Sequence, residues 1–327
     1  MKVLVTGGAG YIGSFMVKRL LDEGHEVVVA DSLERGHESS LDSRTTFMKG
    51  NLLDQEFVSK LFSEHHYDCV MHFAAYIAVG ESMQHPGLYF NDNVFTTISL
   101  LDAMKEHNVK KFIFSSTGTV YGSPKVNPIP ETHEKNPENP YAESKLMVEK
   151  ILHWYFVSHG IGSAILRYFN ASGAAEDGSL GEDHEPETHL IPNAINAALN
   201  NSEFTLYGDD YDTRDGTCIR DYIHVLDLIE AHMLTLKKLD KQNDEYIYNV
   251  GTGRGSTNKE VIEMVKKISE KDFPVKILER RPGDVAETVA DPTKIRQELG
   301  FDPKYSDLET IVKTAYEWHS SRSGQKP

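Results

Sequence analysis

The sequence predicts an α/β fold in which a doubly wound parallel sheet precedes a smaller α/β lobe. Three observations lead to this prediction. Short apolar runs alternate with helical patterns through the first half, a glycine-rich turn follows the first run, and the composition becomes acidic and glycine-rich soon after residue 170. Such alternation is typical of a parallel sheet covered by helices on both faces. We therefore expect a first domain at 1–169 and a second lobe at 170–327, with segments around 220–250 returning to the first domain.

The strands of the predicted sheet are short runs of apolar and β-branched residues. These runs are 3–5, 26–30, 46–49, 69–73, 111–115 and 163–167, with helical patterns between them at 15–24, 55–65, 91–106 and 140–160. Parallel strands end at a common edge of the sheet, so the residues that follow them meet in one cleft. The sequence therefore predicts a ligand cleft at that edge.

The first strand leads into a glycine loop, Gly7-x-x-Gly10-x-x-Gly13, that opens a helix. Glycines permit a tight turn and let backbone amides approach a pyrophosphate at the helix N-terminus. The second strand ends at Asp31, where a carboxylate fits a ribose 2′-hydroxyl and repels a 2′-phosphate. The sequence therefore favours NAD over NADP, with the nearby Arg35 as the one feature that points the other way.

A tyrosine and a lysine lie four residues apart at the start of the predicted helix 140–160. Asn139 fits the N-cap and Pro140 the first helical position, so Tyr141 and Lys145 share one helical face. The lysine ammonium favours the phenolate and makes the tyrosine a candidate general base. Thr117, in a run of three hydroxyls at the end of a strand, is a candidate second hydroxyl. The alternative is an ordinary surface pair on a helix.

The second half is predicted as a helix at 190–199, a strand and turn at 206–209, a single strand at 218–225, and a helix that begins with the capping box Thr257-x-x-Glu260. Arg220 and Arg281 lie beside loop signals rather than on helix faces. In an acidic protein they are natural clamps for phosphate oxygens, with an ordinary salt bridge as the alternative for each.

Histidines and acids cluster in the segment that follows the predicted boundary. His184 and His189 lie among Glu182, Asp183, Glu185 and Glu187. Their spacing is not that of a tetrahedral metal site. The sequence therefore predicts a solvated acidic loop and no metal.

The composition limits the class of partner and the compartment. The 327 residues carry a formal net charge of −16, whereas nucleic acids and anionic membranes are bound by basic surfaces. The two cysteines, Cys69 and Cys218, are too few for a disulfide framework. No signal peptide is visible, and no apolar run approaches the roughly 18 residues of a membrane helix. We expect a cytoplasmic protein that binds neither nucleic acid nor membrane.

Taken in order, these motifs resemble the UDP-hexose 4-epimerases of the extended short-chain dehydrogenase/reductase family. In the second half the resemblance rests on 167–174, 207–211, 220–225 and 281–284, and it spans nearly the whole chain. It implies a Rossmann domain that holds NAD, a smaller lobe that holds a UDP-sugar, and a homodimer. The implied activity is an isomerisation in galactose metabolism, which interconverts UDP-galactose and UDP-glucose through a transient 4-keto sugar.

The resemblance also assigns tasks to residues of this chain. Tyr141 is the implied base, Lys145 its electrostatic partner and Thr117 the hydroxyl beside them. The implied cofactor contacts are Gly7, Gly10, Tyr11, Ile12, Gly13, Asp31, Asn51, Leu52, Phe73, Ala74, Ala75, Asn93, Ser115, Tyr141, Lys145 and Tyr168. The implied substrate contacts are Thr117, Tyr141, Asn170, His189, Leu190, Tyr207, Arg220, Arg281, Asp284 and Thr288.

The chain departs from the family pattern at several positions. Asn51 replaces an acid that faces adenine, Ile77 replaces a lysine found near the pyrophosphate in some members, and His189 replaces an asparagine. Thr288 is small where members restricted to plain hexoses carry tyrosine. The resemblance therefore implies that UDP-N-acetylglucosamine and UDP-N-acetylgalactosamine are also substrates.

Other functions remain open at this point. A UDP-pentose 4-epimerase acting on xylose or arabinose would share the machinery, and a non-catalytic NAD-binding regulator would share the fold. A nucleotide-sugar 4,6-dehydratase is disfavoured, because Thr117-Gly118-Thr119 offers no carboxylate pair for the elimination of water.

Overall fold

The computed structural model describes residues 1–281 and 283–322. The strands are β1 (Lys2–Thr6), β2 (Glu26–Asp31), β3 (Thr46–Lys49), β4 (Cys69–His72), β5 (Lys111–Thr117), β6 (Gly162–Tyr168), β7 (Asn170–Ser172), β8 (Phe204–Tyr207), β9 (Ile219–Arg220), β10 (Tyr222–His224), β11 (Glu245–Val250), β12 (Ser256–Thr257), β13 (Val275–Leu278) and β14 (Glu287–Thr288). The helices are α1 (Tyr11–Asp22), α2 (Gln55–Glu64), α3 (Val79–Gln84), α4 (Pro86–Phe90), α5 (Thr96–Glu106), α6 (Pro140–His159), α7 (Leu190–Asn200), α8 (Val225–Lys241), α9 (Asn258–Ser269), α10 (Thr293–Leu299) and α11 (Leu308–Arg322).

A seven-stranded parallel sheet forms the centre of the molecule, in the order β11-β6-β5-β4-β1-β2-β3. The predicted α/β fold with a parallel sheet is therefore confirmed, and its six predicted strands are placed within two residues of their observed ends. Successive side chains of a strand point to opposite faces. Along β1, Val3 and Val5 pack with α1 and α8, whereas Leu4 packs with α2, α5 and α6. Two buried apolar layers result.

The remaining strands form small sheets of two or three strands. β10 pairs with β7, β13 with β8, and β9 lies between β12 and β14. Beside them, α7, α9 and α11 enclose a third apolar cluster. The predicted capping box is confirmed at the start of α9, where Thr257 and Glu260 cap each other's backbone amides. Among the helices of the described ranges, none is long and apolar enough to cross a bilayer.

The prediction of a single strand at 218–225 is wrong. Asp221 divides the segment into β9 and β10, which belong to different sheets. Its carboxylate is fully buried and accepts hydrogen bonds from the amides of Thr252, Gly253 and Ala290 at 3.0–3.2 Å. A buried carboxylate must find donors, and here the donors lie in loops of the second lobe. The β-rich sequence pattern does not reveal such a break.

The predicted helix 91–106 is also more complex than expected. Pro86–Phe90 is α-helical, Asn91–Phe95 forms a π-helical turn, and the α-helix resumes at Thr96. Such turns frequently occur at functional sites. Here the turn carries Asn93, which is 2% exposed and donates from Nδ2 to Ser144 Oγ at 3.0 Å. The helix that holds Tyr141 is thereby tied to the helix beside it.

Candidate active site

The glycine loop at the end of β1 has no room for side chains at two of its positions. A Cβ on Gly7, whose φ is +72°, would overlap the backbone of Ala74, and a Cβ on Gly13 would overlap the carbonyl oxygen of Gly7. Gly10 is the N-cap of α1 and offers no side-chain cap to the first amides of the helix. Open amides at a helix N-terminus bind anions. The loop therefore fits the pyrophosphate of a dinucleotide.

Asp31 lies beside this loop. Its Oδ2 accepts from the amide of Ala9 at 3.0 Å, and its Oδ1 accepts from the amide of Leu33 at 2.9 Å. These bonds orient the carboxylate at the edge of the cleft. Arg35, which pointed toward NADP, pairs with Glu81 at 2.7 Å rather than extending freely toward a 2′-phosphate. The contacts around Asp31 therefore suit a free ribose hydroxyl.

The N-terminus of α6 is built as the sequence predicts. Asn139 caps the helix by accepting from the amide of Ala142 at 2.9 Å, and Pro140 occupies its first turn. Tyr141 and Lys145 are 9% and 3% exposed, so both polar groups face the interior edge of the cleft. This burial excludes the alternative of a surface pair.

Burial disfavours the charged form of both groups. It raises the pKa of Tyr141 to about 12, although a hydrogen bond with Thr117 lowers it. It lowers the pKa of Lys145 to about 7. The lysine Nζ donates to the carbonyl oxygen of Ser115 at 2.9 Å and lies 6.0 Å from the centre of the Tyr141 ring. The predicted hydroxyl, tyrosine and lysine are thus adjacent, and additional positive charge near the phenol would favour the phenolate.

A buried ion pair that sequence analysis missed holds α6 against the sheet. Arg167 on β6 is 2% exposed, and its Nε donates to Glu149 Oε1 at 2.9 Å. Its Nη1 donates to the hydroxyl of Tyr121 at 2.8 Å, and Ser116 Oγ donates to Glu149 at 2.5 Å. The sequence feature that could have indicated this ion pair is the arginine near the end of an otherwise apolar strand. Removing one partner of such a pair leaves a buried charge, so the pair fixes the position of the helix.

A polar pocket in the second lobe brings together six of the predicted substrate residues. These are Asn170, His189, Leu190, Arg220, Arg281 and Asp284. Arg281 Nε donates to Asp284 Oδ2 at 3.1 Å, and Arg220 Nη2 lies 4.0 Å from Asp284 Oδ1. Two guanidinium groups therefore lie beside one carboxylate on this side of the pocket. Phosphate oxygens are suitable ligands for such a pocket.

The other predicted substrate residues lie outside the described lining of this pocket. Tyr207 stacks against Arg281, whose guanidinium carbon is 4.8 Å from the ring centre. Thr288 pairs with Arg220 between β14 and β9. Thr117 is the last residue of β5, at the edge of the parallel sheet, and Tyr141 lies in the first turn of α6. Pro282, part of the predicted motif 281–284, lies outside the described residues.

The expectation of a solvated acidic loop is wrong for its central residue. Glu182 is 5% exposed and lies in the lining of the pocket with His189. Its Oε1 lies 3.1 Å from His184 Nδ1 and 2.7 Å from His189 Nδ1. Burial by itself lowers the pKa of His189, but pairing with Glu182 and Glu187 raises this pKa to about 10. The loop folds inward because Trp318 Nε1 donates to the Glu182 carbonyl at 3.2 Å, a long-range contact that local sequence does not reveal.

Comparisons with known proteins agree with this geometry. Residues 3–251 match the NAD dependent epimerase/dehydratase family. A UDP-glucose 4-epimerase of Lactobacillus helveticus is 48% identical over 322 residues, which cover 98% of this chain and 98% of the relative. The crystal structure of UDP-glucose 4-epimerase from Brucella ovis in complex with NAD is 44% identical with a TM-score of 0.93, covering 97% of this chain and 98% of that chain. The UDP-Glc/GlcNAc 4-epimerase from Campylobacter jejuni is 40% identical with a TM-score of 0.85, covering 98% and 99%.

The parallel sheet, the glycine loop and the buried pair of Tyr141 and Lys145 define an extended short-chain dehydrogenase/reductase, a class of enzyme that uses a nicotinamide dinucleotide. The resemblance predicted from the motifs is thereby confirmed. The chain belongs to the NAD dependent epimerase/dehydratase family.

Proposed function

We propose that the protein is a UDP-glucose 4-epimerase that interconverts UDP-galactose and UDP-glucose. The observation that carries the proposal is the combination of a buried Tyr141, beside Thr117 and Lys145, with a separate pocket that contains Arg220 and Arg281. The first supplies a base at the nicotinamide end of the cleft, and the second suits a sugar nucleotide diphosphate. The names of the relatives from Lactobacillus helveticus and Brucella ovis support this activity.

The proposed chemistry follows from the positions of these groups. When bound, NAD would supply the reversible hydride acceptor that oxidation and reduction at carbon 4 of the sugar require. Tyr141 removes the proton of the 4-hydroxyl group, with Thr117 as the second hydroxyl in the proton path. Lys145 favours the phenolate by its charge. Arg220 and Arg281 hold the diphosphate while the transient 4-keto sugar turns, so the same tyrosine serves both faces.

The cofactor contacts inferred from the sequence are proposed on the same basis. Gly7, Gly10 and Gly13 cradle the pyrophosphate, and Asp31 binds the adenine ribose. We also propose that 1–169 is the NAD-binding domain, and that 170–327 is the UDP-sugar lobe with segments around 220–250 returning to the first domain. The insertion of β11 beside β6 supports that division.

Proton NMR of UDP-galactose mixed with the purified protein tests the proposal. We expect UDP-glucose to appear without added cofactor, because NAD is regenerated in every cycle and remains bound. Absence of UDP-glucose even after NAD is supplied would contradict the proposal. Conversion of UDP-xylose in a parallel sample that leaves UDP-galactose unchanged would instead establish the pentose epimerase. No change in the absorbance of bound NAD with any UDP-sugar would favour the non-catalytic regulator.

We propose that N-acetylated UDP-sugars are also substrates. Thr288 is half-buried on β14 beside Arg220, which lines the pocket, and its side chain is much smaller than a tyrosine. The name of the Campylobacter jejuni relative includes both glucose and N-acetylglucosamine. We expect Thr288→Tyr to lower the rate with UDP-N-acetylglucosamine by at least about tenfold relative to UDP-glucose, measured as kcat/KM. Full activity of the variant on the acetylated sugar would exclude this proposal.

We propose that the protein forms a homodimer through α6. Met147, Trp154 and Val157 lie on one face of this helix and are 37%, 64% and 60% exposed, and Phe95 at the start of α5 is 57% exposed. A second copy could cover this apolar face with its own, as in a two-fold symmetric interface. Trp154→Glu should convert the dimer to a monomer in analytical ultracentrifugation, while the matched surface change Lys276→Glu, at an exposed lysine of β13 away from α6, should not. A monomeric wild-type chain would contradict the proposal.

We place the enzyme in the cytoplasm. Cys69 and Cys218 are both free and buried, so the fold requires no oxidising compartment.

A further inference from the structure

Four side chains of the loop before α7 bring their ligand atoms together. Glu182, His184, Glu187 and His189 each offer one nitrogen or oxygen, and these four atoms all lie within 4.8 Å of one another. In tetrahedral zinc sites the ligand atoms surround the ion at about 2.0–2.2 Å. The four atoms are thus gathered into a space close to that of one ion and its ligands. The spacing in sequence concealed this convergence, because the loop turns back on itself.

The charges in the cluster favour a cation. Within the described residues, the salt-bridge partners of Glu182 and Glu187 are all imidazoles, at 2.7–3.1 Å, and neither carboxylate forms a salt bridge with a lysine or an arginine. Two carboxylates therefore face two imidazoles, and one of these carboxylates is 5% exposed. Buried carboxylates are ordinarily paired with a full positive charge, which the His189 imidazole supplies in the absence of an ion, or with a metal. Imidazole nitrogens and carboxylate oxygens are suitable ligands for zinc and similar divalent ions.

The loop backbone is held in place by contacts outside the cluster. Trp318 on α11 donates to the carbonyl of Glu182 at 3.2 Å, and His37 Nε2 lies 3.0 Å from the carbonyl oxygen of Asp183. Glu187 Oε1 accepts from the amide of His189 at 2.8 Å, which orients that carboxylate toward the imidazole. Ligands whose orientation is fixed by surrounding contacts lose less freedom on binding a metal.

We propose that Glu182, His184, Glu187 and His189 form a binding site for a divalent transition-metal cation of the Zn²⁺ type. The ion takes the place of the direct contacts between the imidazoles and the carboxylates, and it connects the two ends of the segment 182–189. Because Glu182 and His189 also line the pocket with Arg220, the ion fixes one wall of that pocket. Its role is structural, and the proton and hydride chemistry at Tyr141 does not require it.

Metal binding to the full chain with its resident cofactor tests this site. Protein free of any affinity tag is treated with a chelator, exchanged into metal-free buffer and titrated with Co²⁺, whose visible absorption reports its coordination geometry. We expect one equivalent of Co²⁺ with a tetrahedral spectrum, displaced by one equivalent of Zn²⁺. His184→Gln should weaken binding by at least about tenfold, since even the loss of an outer partner of a metal ligand has that effect. His66→Gln changes an exposed histidine outside the cluster and is the matched control.

A second variant protects the test against misfolding. Glu187→Gln keeps the shape of the side chain and removes one charge, and retained NAD absorbance with an unchanged circular dichroism spectrum shows that either variant is folded. Zn²⁺ should raise the melting temperature of the wild type and of His66→Gln, and it should not raise that of His184→Gln. Binding with equal affinity in the wild type and both folded cluster variants, or no binding by the wild type, would overturn the proposal.

Discussion

The two halves of the molecule are stabilised in different ways. Through β6 the chain is held by parallel strands that are buried on both faces, where Val3, Leu4 and Val5 are all 0% exposed. The second lobe has short strands in small sheets, and its loops are held by buried carboxylates. Asp221 binds amides of two loops, and Asp227 accepts from the amides of Lys304 and Tyr305 at 2.7 and 2.8 Å.

This difference corresponds to a division of tasks. The proposed base and the cofactor loop lie on the apolar sheet, where dense packing resists movement. The proposed diphosphate pocket lies among loops, whose polar clamps permit shapes that regular sheets do not allow. Chemistry that requires a fixed geometry is thus placed on the sheet, and recognition of the substrate is placed on the loops.

The largest effect on activity is expected for Tyr141→Phe, which removes the proposed general base beside the parallel sheet. We expect kcat to fall about 100- to 10,000-fold, the usual contribution of general acid–base catalysis, while NAD content and melting temperature change little. Progress of UDP-galactose conversion measures kcat. Tyr155→Phe alters a tyrosine of the same helix away from the cleft and should keep normal activity. Activity of Tyr141→Phe close to wild type would assign the base to another residue.

Leu4→Ala addresses the stability of the sheet. Leu4 is fully buried in the apolar layer beneath α2 and α5, so its truncation leaves a cavity. We expect the free energy of unfolding to fall by about 2–5 kcal/mol in urea denaturation. Leu278→Ala, at a leucine that is 41% exposed in the second lobe, should have a much smaller effect. Equal losses of unfolding free energy for Leu4→Ala and Leu278→Ala would contradict the proposal that the two halves are stabilised in different ways.

Asp221→Ala addresses the polar clamps of the second lobe. The change leaves the amides of Thr252, Gly253 and Ala290 without their acceptor, and each loss of this kind is unfavourable in a buried site. We expect a loss of about 1–3 kcal/mol in the free energy of unfolding and a higher KM for UDP-sugars, with NAD retained. Asp302→Ala, at a side chain 71% exposed, is the control. An unchanged KM would show that the hydrogen bonds of Asp221 do not influence the binding of UDP-sugars in the pocket.

The pH dependence of stability tests the burial of Lys145 on the sheet side. The pKa of Lys145 is about 7 in the folded chain and about 10.4 in the unfolded chain. Below pH about 7 the lysine is charged in both states, so the full cost of burying the ammonium group lowers the free energy of unfolding. Between these values only the folded chain loses the proton, and the free energy of unfolding rises with pH. Lys145→Met removes this rise and Lys150→Met does not. Parallel urea curves at all pH values for wild type and Lys145→Met would contradict the prediction.

The same division explains what the sequence predicted. Continuous apolar runs such as β1 and β5 have one stable placement, so both the sheet and the positions of Tyr141 and Lys145 followed from local patterns. The break at Asp221 and the inward fold at Glu182 depend on partners 31 and 136 residues away. No local pattern encodes such contacts. The ion pair of Arg167 was likewise not predicted, because its partner Glu149 lies on a helix.

The bonds along α6 have a consequence for the shape of the sugar site. Ser144 Oγ accepts from Asn93 Nδ2 at 3.0 Å, Lys145 donates to a carbonyl oxygen of β5, and Glu149 is paired with Arg167 on β6. A helix held at these three positions cannot present its phenol from a second direction. In an enzyme that inverts carbon 4, the ligand must then supply all of the movement. Selectivity for sugars is therefore governed by the space that the ring sweeps as it turns, and a substituent that fits both end positions is still rejected if it collides midway.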